Sequence, residues 1–520
     1  EGWVRVEPGV VLDELNQFLA PSGMFFAPET STSNRCMIGG MVGNNSSGSH
    51  SLIYGSTRDH LLEAKAILSD GSEADFRSLY WEGFERKLMG NNLESRLYRQ
   101  IHEILSDDKL RKQIRSEFPD PAVVRRNTGY AVDALLDTDP FSRETEPFNF
   151  CKLIAGSEGT LAFVTEVKLN LLPLPPPEKA LICVHFDTVA NAIKGNLIAL
   201  RFNPGAVELM DKIILDLTRE NITQSRNRFF LKGDPGALLI IEFARDHMDE
   251  IKQIHKDLEA AMRKEGLGYH FPLITGKDIQ RVWSLRKAGL GVLANIPGDA
   301  KPVSVIEDNS VNVNVLEDFI EDFNKILKSF ELDCVYHAHI SVGELHIRPV
   351  LNLKDPEDVR KFREIARDTA KLTRKYRGSL SGEHGDGRVR GEFIPIIIGA
   401  ANYEILKEIK HTWDPDNVFN AGKIIDTPPM DSSLRYLPGK PSREIKTIFD
   451  FSESGGIQRM AEKCNGSGDC RKSALIGGTM CPSFMATRDE QTTTRARANI
   501  LREFLNTSEK NTPFDHEEIY

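Results

Sequence analysis

The chain lacks the long apolar runs that a membrane-spanning helix requires. Among its 520 residues, no uninterrupted apolar stretch reaches the length of about 18 residues that spans a bilayer. It also lacks an excess of basic residues, since 76 acidic side chains against 66 Lys and Arg give a formal net charge of -10. Nucleic acid is therefore not expected as the main partner, because phosphate binding requires a basic face. We expect a cytoplasmic protein with no membrane span, and peripheral contact with the inner membrane stays open.

Cysteine is scarce, with seven in the whole chain. Four stand singly in apolar or strand-like surroundings, which predicts buried, reduced thiols. They are Cys36, Cys151, Cys183 and Cys334. The other three, Cys464, Cys470 and Cys481, are clustered, and such clustering in a chain of this kind indicates a metal more than disulfides.

The length predicts two or three domains, because one hydrophobic core does not grow to this size. A proline-rich run at 173–177 cannot continue a helix or a central strand, so we place a first boundary there. The domains expected are 1–177, 178–426 and 451–520, with a proline-containing linker at 427–450. Glu1 opens the chain in the middle of a pattern, so we expect both ends to lie inside a longer protein.

Periodicity predicts an α+β fold. In the first domain we expect a helix at 10–19 ended by Gly23, a loop-rich stretch at 28–55, and strands at 62–68 and 161–171. In the second domain strands and helices alternate, which predicts an antiparallel sheet with helices on one face. Its strands are expected at 180–186, 237–244, 302–306, 334–340 and 344–351, and its helices at 189–200, before Lys264, at 316–330 and at 355–374. A helix is expected near 496–505.

Two glycine-rich segments are candidates for binding a cofactor. The segment 38–48 carries glycine, serine and asparagine with little side-chain bulk, so its backbone N–H groups can approach a phosphate or a flat polar ring. Taken alone it also fits a plain surface loop. A second segment, 156–160, precedes a predicted strand and favours the binding interpretation.

Histidine is rare but locally concentrated. The chain has 13 His, and His337, His339 and His346 fall within ten residues, about forty residues before the pentapeptide Ser-Gly-Glu-His-Gly at 381–385. Two imidazoles and a carboxylate can hold a divalent metal and leave positions open for a substrate. His384, which titrates near neutral pH in its unperturbed state, would then be free to act as a general base. Ordinary strand histidines remain the alternative.

These segments together resemble a known family. The stretch from Pro28 to Gly55, the glycines at 156–160 and the sequence at 414–423 are similar to the vanillyl-alcohol-oxidase-type flavoproteins, in particular their D-2-hydroxyacid dehydrogenase branch. With the cysteine segment behind them, they look like the long bacterial FAD/iron–sulfur D-2-hydroxyglutarate dehydrogenases. The resemblance implies an FAD-binding domain whose first half, with its pyrophosphate loop, precedes residue 1, then the substrate domain, then the start of a helical iron–sulfur domain.

The resemblance implies FAD-dependent oxidation of a D-2-hydroxyacid, with D-2-hydroxyglutarate preferred, to the 2-oxoacid. D-lactate or glycolate is the rival substrate, and a non-catalytic electron-transfer or scaffold module is the rival from another class. Electrons would leave through an iron–sulfur cluster of the full-length protein to a quinone or an electron-transfer protein. Homo-oligomers are also implied.

The family match extends to individual positions. The residues matching the FAD site are Pro28, Thr30, Ser33, Ile38, Gly39, Gly40, Asn44, Gly48, Gly55, Gly156, Glu158, Gly159, Thr160 and Asn420. His339, His346 and Glu383 would hold a divalent metal (zinc, manganese or iron), which lowers the pKa of the substrate hydroxyl. His384 would take the hydroxyl proton. His337, on the same strand face as His339, would be an outer group or an alternative ligand.

Three cations are candidates for the substrate carboxylates. Arg286 and Lys301 match family positions that bind them, and a guanidinium pairs bidentately with a carboxylate; surface ion pairs are the alternative. Arg348 either reaches the far carboxylate of a dicarboxylic acid or only solvates a strand end.

The cysteine segment has part of a cluster motif. Cys464 and Cys470 fit the first and third positions of a ferredoxin-type run, Ser467 occupies the second, and Cys481 followed by Pro482 fits the fourth after a longer gap. We expect these cysteines to ligate iron–sulfur in the full-length protein. Zinc on three cysteines is the alternative.

Overall fold

The computed structural model of the chain covers most of the sequence. The residues that it describes are 2–142, 146–294, 298–332, 334–477 and 481–517. The side chains of Glu220 and of residues 290–294 are not described. Two parts of the predicted cysteine-bearing domain, residues 478–480 and 518–520, lie outside the described residues.

The N-terminal region is built on a small antiparallel sheet. Its strands, together with a separate pair, are β1 Trp3–Val6, β2 Met24–Phe25, β3 Leu61–Ile67, β4 Glu73–Phe76, β5 Phe163–Asn170 and β6 Leu172–Pro173. The order across the sheet is β1-β5-β3-β4, and β2 pairs with β6. The turn between β3 and β4 contains Gly71 with φ +81°, a conformation that suits glycine. The predicted strands at 62–68 and 161–171 are thereby confirmed.

Eight helices accompany these strands. They are α1 Leu12–Leu19, α2 Ile38–Asn44, α3 Ser51–Tyr54, α4 Thr57–His60, α5 Trp81–Leu88, α6 Leu93–Ser106, α7 Asp108–Glu117 and α8 Cys151–Ile154. The stretch at 28–55, predicted as loop-rich, contains a helix at 38–44 that was not predicted. Ile38, Met41 and Val42 are buried on one side of that helix, so their apolar burial outweighs the low helix propensity of its glycines.

A larger antiparallel sheet follows. Its strands are β7 Glu178–Phe186, β8 Ala206–Asp211, β9 Ala237–Arg245, β10 Leu273–Thr275, β11 Lys301–Pro302, β12 Ile306–Ser310, β13 Cys334–His339 and β14 Glu344–Leu351. The order is β10-β7-β9-β8-β13-β14-β11, with β12 also paired to β14. The α+β class and the antiparallel sheet predicted for the second domain are therefore confirmed.

The helices of this region cover both faces of the large sheet. They are α9 Val189–Leu200, α10 Lys212–Glu220, α11 Met248–Lys264, α12 Lys277–Ala294, α13 Leu316–Ser329 and α14 Pro356–Lys375. The main core lies under α9, α11, α13 and α14, as predicted. A second core joins Leu181 and Cys183 to side chains of α10 and α12 on the opposite face. The prediction that helices cover only one face of the sheet is therefore wrong. Alternate residues of β7 enter different cores, which explains its unbroken apolar run.

The strand predicted at 302–306 is interrupted. Lys301–Pro302 and Ile306–Ser310 both pair with β14, while 303–305 do not join a strand. The prediction ended at 306 because Glu307, Asp308 and Asn309 are polar, yet all three are buried. A polar strand in the core is typical of a functional site rather than of a surface.

The C-terminal part has short helices. They are α15 Gly387–Arg390, α16 Ile394–Ile398, α17 Ala400–Trp413, α18 Ile457–Glu462, α19 Pro482–Thr487 and α20 Thr494–Thr507. Helices α16 and α17 pack against α6 and α7 of the N-terminal region, and the stretch between α17 and α18 contains neither α-helix nor strand before residue 452. In the described part of the chain no helix is both long and apolar enough to cross a bilayer. The domain boundaries stay predictions.

Candidate active site

A cavity of about 330 Å³ opens where the N-terminal loops meet the large sheet. The loops 29–32 and 44–50 form one wall. Helix α12 forms a second wall, and strands β12 to β14 with Glu383 and His384 form the floor. Most groups predicted for chemistry therefore face one space.

Strand pairing brings the histidines of the floor together. His337 on β13 lies directly opposite His346 on β14, and their ring centroids are 4.7 Å apart. His339 is two residues further along the same face of β13, with its ring centroid 5.1 Å from that of His346. The period of two in a strand and the antiparallel register thus place three imidazoles on one patch.

Glu383 completes a set of potential metal ligands. Its Oε1 lies 3.6 Å from Nε2 of His339 and 3.6 Å from Nε2 of His346. One ligand atom from each residue falls within 4.8 Å of the others. Two imidazoles and one carboxylate are the donor set of many catalytic zinc sites, so these three residues fit a divalent ion.

The neighbours of these imidazoles also fit a metal site. Nδ1 of His339 contacts Oε1 of Glu208 at 2.6 Å, which leaves Nε2 directed at Glu383, as outer carboxylates do in metal sites. Burial would raise the pKa of Glu208, but His339 and Arg286 lower it to about 2. Burial, followed by His337, lowers the pKa of His346, so this ring stays neutral and can act as a ligand.

Asp308 shapes the loop that carries Glu383 and His384. Its carboxylate accepts hydrogen bonds from the backbone N–H of Glu383 at 2.8 Å, from that of His384 at 2.9 Å and from Oγ of Ser381 at 2.6 Å. Asp308 itself has φ +87°, a conformation that L-residues rarely adopt. The strained residue and its three bonds fix the loop over the histidines.

His384 lies beside the ligand set. Its Nε2 is 3.3 Å from Oε1 of Glu383, and its Nδ1 is 3.8 Å from carboxylate oxygens of Glu307 and Asp308. Burial would lower its pKa, but Asp308, then Glu383 and Glu307, raise the pKa to about 9. The pKa of His384 thus lies above the near-neutral value expected for an unperturbed imidazole. A cation bound among these carboxylates would offset them and lower the pKa again.

Arg125 is buried at the junction of the two regions and was missed in the sequence. Its Nη1 lies 3.0 Å from Oε2 of Glu383 and also contacts Glu344, while Nη2 donates to the carbonyl of Gly48 and Nε to Oγ of Ser51 at 2.7 Å. The side chain is 1% exposed. The guanidinium of Arg125 therefore binds Oε2 of Glu383, and Oε1 of the same carboxylate faces the histidines.

The two predicted glycine-rich segments meet. The N–H of Gly156 donates to the carbonyl of Val42 at 2.9 Å, and the N–H of Glu158 donates to that of Gly43 at 2.7 Å. The amide of Asn420 donates to the carbonyl of Glu158 at 2.7 Å. Segments more than a hundred residues apart in the chain therefore form one backbone platform.

This platform separates the cavity from a second groove of about 490 Å³. Gly39, Gly43 and Gly159 line the groove, and Ser47 on the cavity side has a buried Oγ without a hydrogen-bond partner. Glycines without side-chain bulk and an unpaired hydroxyl fit a flat polar ligand such as a flavin.

The remaining positions predicted to bind FAD lie on or near the platform. Thr30, Asn44 and Gly48 line the cavity, and Ser33 lines a neighbouring pocket. Those that line neither space are Pro28, Ile38, Gly40, Gly55, Gly156, Glu158, Thr160 and Asn420. Pro28, Ile38 and Thr160 are buried, and the carboxylate of Glu158 accepts from the N–H of Asp386 at 2.6 Å. Their role in binding FAD stays a prediction.

The three predicted substrate cations are placed differently. Arg286 lines the cavity, but its Nη2 is held by Glu208 at 2.6 Å and its Nη1 lies 3.3 Å from Nε2 of His337. Arg348 contacts both carboxylate oxygens of Glu307 and does not line the cavity. Lys301 pairs along β14 with Leu351, away from the cavity. The structure thus brings only Arg286 to the site.

His50 lines the cavity and stands between two carboxylates. Its Nε2 is 2.7 Å from Oε1 of Glu242 and its Nδ1 contacts Glu29. The indole N–H of Trp283 donates to the other oxygen of Glu242 at 2.9 Å. Burial would lower the pKa of His50, but Glu29 and Glu242 raise it to about 10, so this imidazole is protonated and paired at neutral pH.

The cysteine segment is only partly assembled. Cys470 and Cys481 are buried in one small apolar cluster with Phe484, whereas Cys464 is half-buried. In residues 334–477 and 481–517 no three cysteines form a metal-ligand group. The segment contacts the N-terminal region through Arg35, whose Nη1 lies 2.8 Å from the carboxylate of Asp469.

Two of these functional groups gave a weak signal in the sequence. Glu208 is a single carboxylate inside the apolar run of β8, and Asp308 stands in a short polar stretch next to a valine-rich one. Arg125 lies in a loop with neither signal.

Comparison with known proteins shows two family matches and several relatives. Residues 1–77 match the FAD binding domain family, and residues 175–424 match the family described as FAD linked oxidases, C-terminal domain. A D-2-hydroxyglutarate dehydrogenase of Escherichia coli (strain K12) is 34% identical over 97% of this chain and 49% of its own length. That of Pantoea ananatis is 33% identical over 97% of this chain and 49% of its own length.

More distant relatives carry other names. A glycolate oxidase subunit of Bacillus subtilis is 22% identical over 81% of this chain and 74% of its own length. The chain spans about half the length of the D-2-hydroxyglutarate dehydrogenases that it matches.

Proposed function

The chain belongs to the FAD-linked oxidases, and from this premise we propose that it oxidises a D-2-hydroxyacid, preferably D-2-hydroxyglutarate, to the 2-oxoacid with FAD as oxidant. One observation carries the proposal. The set His339, His346 and Glu383 and the imidazole of His384 open into the same cavity as the loop 44–50 of the FAD-binding region. The relatives named D-2-hydroxyglutarate dehydrogenase support the substrate class.

The divalent metal is part of the proposal. His339, His346 and Glu383 would hold it, with Glu208 orienting His339 and Arg125 occupying the second oxygen of Glu383. When bound, such an ion supplies a Lewis acid that polarises a hydroxyl and lowers its pKa. Zinc, manganese and iron all suit two imidazoles and a carboxylate.

His384 would manage the proton. Oxidation of a CH–OH group to C=O removes one hydride and one proton, and FAD supplies the hydride acceptor when bound. The imidazole of His384 is 39% exposed and adjoins Glu383, so it can receive the hydroxyl proton and pass it to solvent. It must be deprotonated before each turnover.

FAD would lie along the glycine platform. The buried Oγ of Ser47, which has no hydrogen-bond partner among the described residues, supports a flavin on the cavity side of the platform. The groove lined by Gly39, Gly43 and Gly159 offers further room on the other side. The chain covers 49% of the length of one D-2-hydroxyglutarate dehydrogenase. We propose that the uncovered part of that relative contributes the remainder of the cofactor site.

We propose that the cysteine segment relays electrons from the flavin. Cys470 and Cys481 lie in the same small apolar cluster. Thiolates are the usual ligands of iron–sulfur centres. A quinone or an electron-transfer protein would be the final acceptor.

Glycolate or D-lactate oxidation is the second candidate. It is supported by relatives named glycolate oxidase subunit and D-lactate dehydrogenase, which match at 22–24% identity. A shorter acid would leave the part of the cavity near His50 and Trp283 without a contact.

The anaerobic visible spectrum of the FAD-loaded chain tests the proposal. Addition of D-2-hydroxyglutarate should bleach the flavin band, and L-2-hydroxyglutarate should not. A band that bleaches with glycolate or D-lactate alone would favour the second candidate. A bound flavin that no D-2-hydroxyacid reduces would contradict both.

A further inference from the structure

His346 has a second ring nitrogen that faces potential metal ligands. Its Nε2 belongs to the set with His339 and Glu383. Its Nδ1, on the other side of the ring, is buried and has no hydrogen-bond partner among the residues that the structure describes. A buried polar atom without a partner costs free energy, so this nitrogen calls for a further group to pair with it.

Two side chains stand around this nitrogen. Oε1 of Glu307 lies 4.0 Å from Nδ1 of His346 and 3.8 Å from Nδ1 of His384. The rings of the two histidines are within 29° of parallel, with their centroids 5.3 Å apart. One ligand atom from each of the three residues falls within 4.8 Å of the others. All three residues line the cavity, so an ion can reach them from the same space as the first set.

This second set has the same donors as the first, two imidazoles and one carboxylate. The type of metal therefore does not decide between the two sets. His346 belongs to both, and a neutral imidazole has one lone pair for a metal, on the nitrogen that carries no proton. A neutral His346 ring thus binds one ion at a time, through Nε2 or through Nδ1.

A third combination of ligand atoms within 4.8 Å consists of Asp308, Glu383 and His384. The carboxylate of Asp308 already accepts hydrogen bonds from two backbone N–H groups and from Oγ of Ser381. A metal at Asp308 would displace the bonds that hold the loop in place, so this combination does not make a separate site.

Two neighbouring side chains bias the ion toward the first set. Glu208 contacts Nδ1 of His339 at 2.6 Å, which directs Nε2 of His339 at the first position. Arg348 contacts both carboxylate oxygens of Glu307. A guanidinium paired with a carboxylate competes with a metal ion for the same oxygens, so Arg348 weakens the second position.

We infer that the divalent ion has a second, nonproductive position at Glu307, His346 and His384. This position excludes the first, and Arg348 is the positioning residue that keeps the ion out of it. An ion on Nδ1 of His384 leaves Nε2 of that ring protonated beside Glu383, so the imidazole cannot receive the hydroxyl proton. The loss of activity in this position rests on the proposed function, whereas the position itself does not.

Cobalt binding to the full chain, followed by equilibrium dialysis and visible absorption, tests the inference without turnover. An ion on the cysteines has a thiolate charge-transfer band and is not counted. Wild type should bind one ion, and His339→Ala, which removes a ligand of the first position only, should still bind one ion more weakly. Glu307→Gln in that background should abolish the remaining binding. Glu321→Gln, which changes an exposed carboxylate on α13, should not.

Replacing Arg348 should have the opposite effect. Arg348→Met in the His339→Ala chain frees the carboxylate of Glu307 and should tighten cobalt binding about tenfold, the usual size for one charge-assisted contact. Arg360→Met, which removes an exposed arginine on α14, is the control and should leave binding unchanged. A gain in affinity cannot come from misfolding.

Three results would overturn the inference. Folded His339→Ala binds no cobalt, or Glu307→Gln leaves its binding as it is, or wild type holds two ions per chain, which means that the positions are not exclusive. His339→Gln serves in place of the alanine variant if that one does not fold. Flavin reduction is measured separately. Where no D-2-hydroxyacid reduces the bound flavin, the proposed function fails while the cobalt titrations still decide the second position.

Discussion

The histidine cluster and the cysteine cluster were both predicted as metal sites from spacing. They differ in how closely the structure brings their potential ligand atoms together. His339, His346 and Glu383 bring their ligand atoms within 4.8 Å. Cys470 and Cys481 share a small apolar cluster, and Cys464 stands apart from it among the described residues. The histidine spacing thus corresponds to an assembled ligand set, and the incomplete cysteine motif to a partial one.

The difference lies in the elements that carry the ligands. The histidines stand on paired strands of the large sheet, where the register fixes which side chains are neighbours. The cysteines stand on short helical turns and loops, whose geometry the spacing does not determine. Spacing therefore predicts a site when a regular element holds the ligands, and it predicts only a tendency when a loop does.

Removing His384 should have the largest effect. His384→Ala in the FAD-loaded chain is expected to slow flavin reduction about 10²- to 10⁴-fold, the usual contribution of a general base. The rate is measured by anaerobic stopped flow, with metal content determined in parallel. His411→Ala on the exposed side of α17 is the control and should be unaffected. Loss of metal together with rate would show that His384 is a ligand rather than the base.

Replacing Arg125, the buried partner of the assembled cluster, should have the largest effect on stability. Arg125→Met leaves Glu344 and Glu383 without their buried partner and is expected to lower the free energy of unfolding by about 3–5 kcal/mol. Urea unfolding measures this. Arg126→Met removes a more exposed arginine, paired with Asp133, and should cost no more than about 1 kcal/mol. Equal losses in the two variants would contradict the special role of Arg125.

Glu208 should affect the affinity for the metal although it is not itself a ligand. Glu208→Gln removes the carboxylate that orients His339 and is expected to weaken divalent metal binding about 10- to 100-fold, as loss of such outer partners does. Affinity is measured by competition with a chromogenic chelator. Glu242→Gln, on the neighbouring strand and bonded to His50, should leave the affinity unchanged; a comparable loss would mean that negative charge alone, rather than its position, matters.

Breaking the contact between the cysteine segment and the N-terminal region should have the smallest effect of the four substitutions considered. Arg35→Met removes a partly exposed ion pair with Asp469 and is expected to cost no more than about 1 kcal/mol. The labelling rates of Cys470 and Cys481 with a thiol reagent should rise, because the segment packs less closely. Metal binding by the histidines should not change. A change there would mean that the two clusters are coupled.

The regular elements of this fold could be predicted from sequence because their apolar periods are intact. The helix at Val189–Leu200 and the strands around His337 and His346 lie close to where periodicity placed them. The strand Ile306–Ser310 could not, because alternation assigns polar residues to the surface while Glu307, Asp308 and Asn309 are buried to build the site.

The site was predictable where the chemistry is local and hidden where it depends on folding. The sequence indicated His384 and Glu383 through one pentapeptide. It gave little sign of Arg125, which becomes a partner of Glu383 only when the N-terminal region closes over the sheet. Nor did it show that Lys301 would lie away from the cavity, because the interruption after Pro302 cannot be read from composition.

The loop of His384 is anchored to the opposite region of the molecule. Gly385 has φ +82° and leaves no room for a Cβ between Glu158 and Asn44. The N–H groups of Asp386 and Gly387 donate to the carboxylate of Glu158, on the platform proposed for FAD. The same loop is bonded on its other side to Asp308 of the large sheet. It therefore couples the platform to the metal ligands, and a displacement of one region relative to the other would have to break bonds on one side of His384.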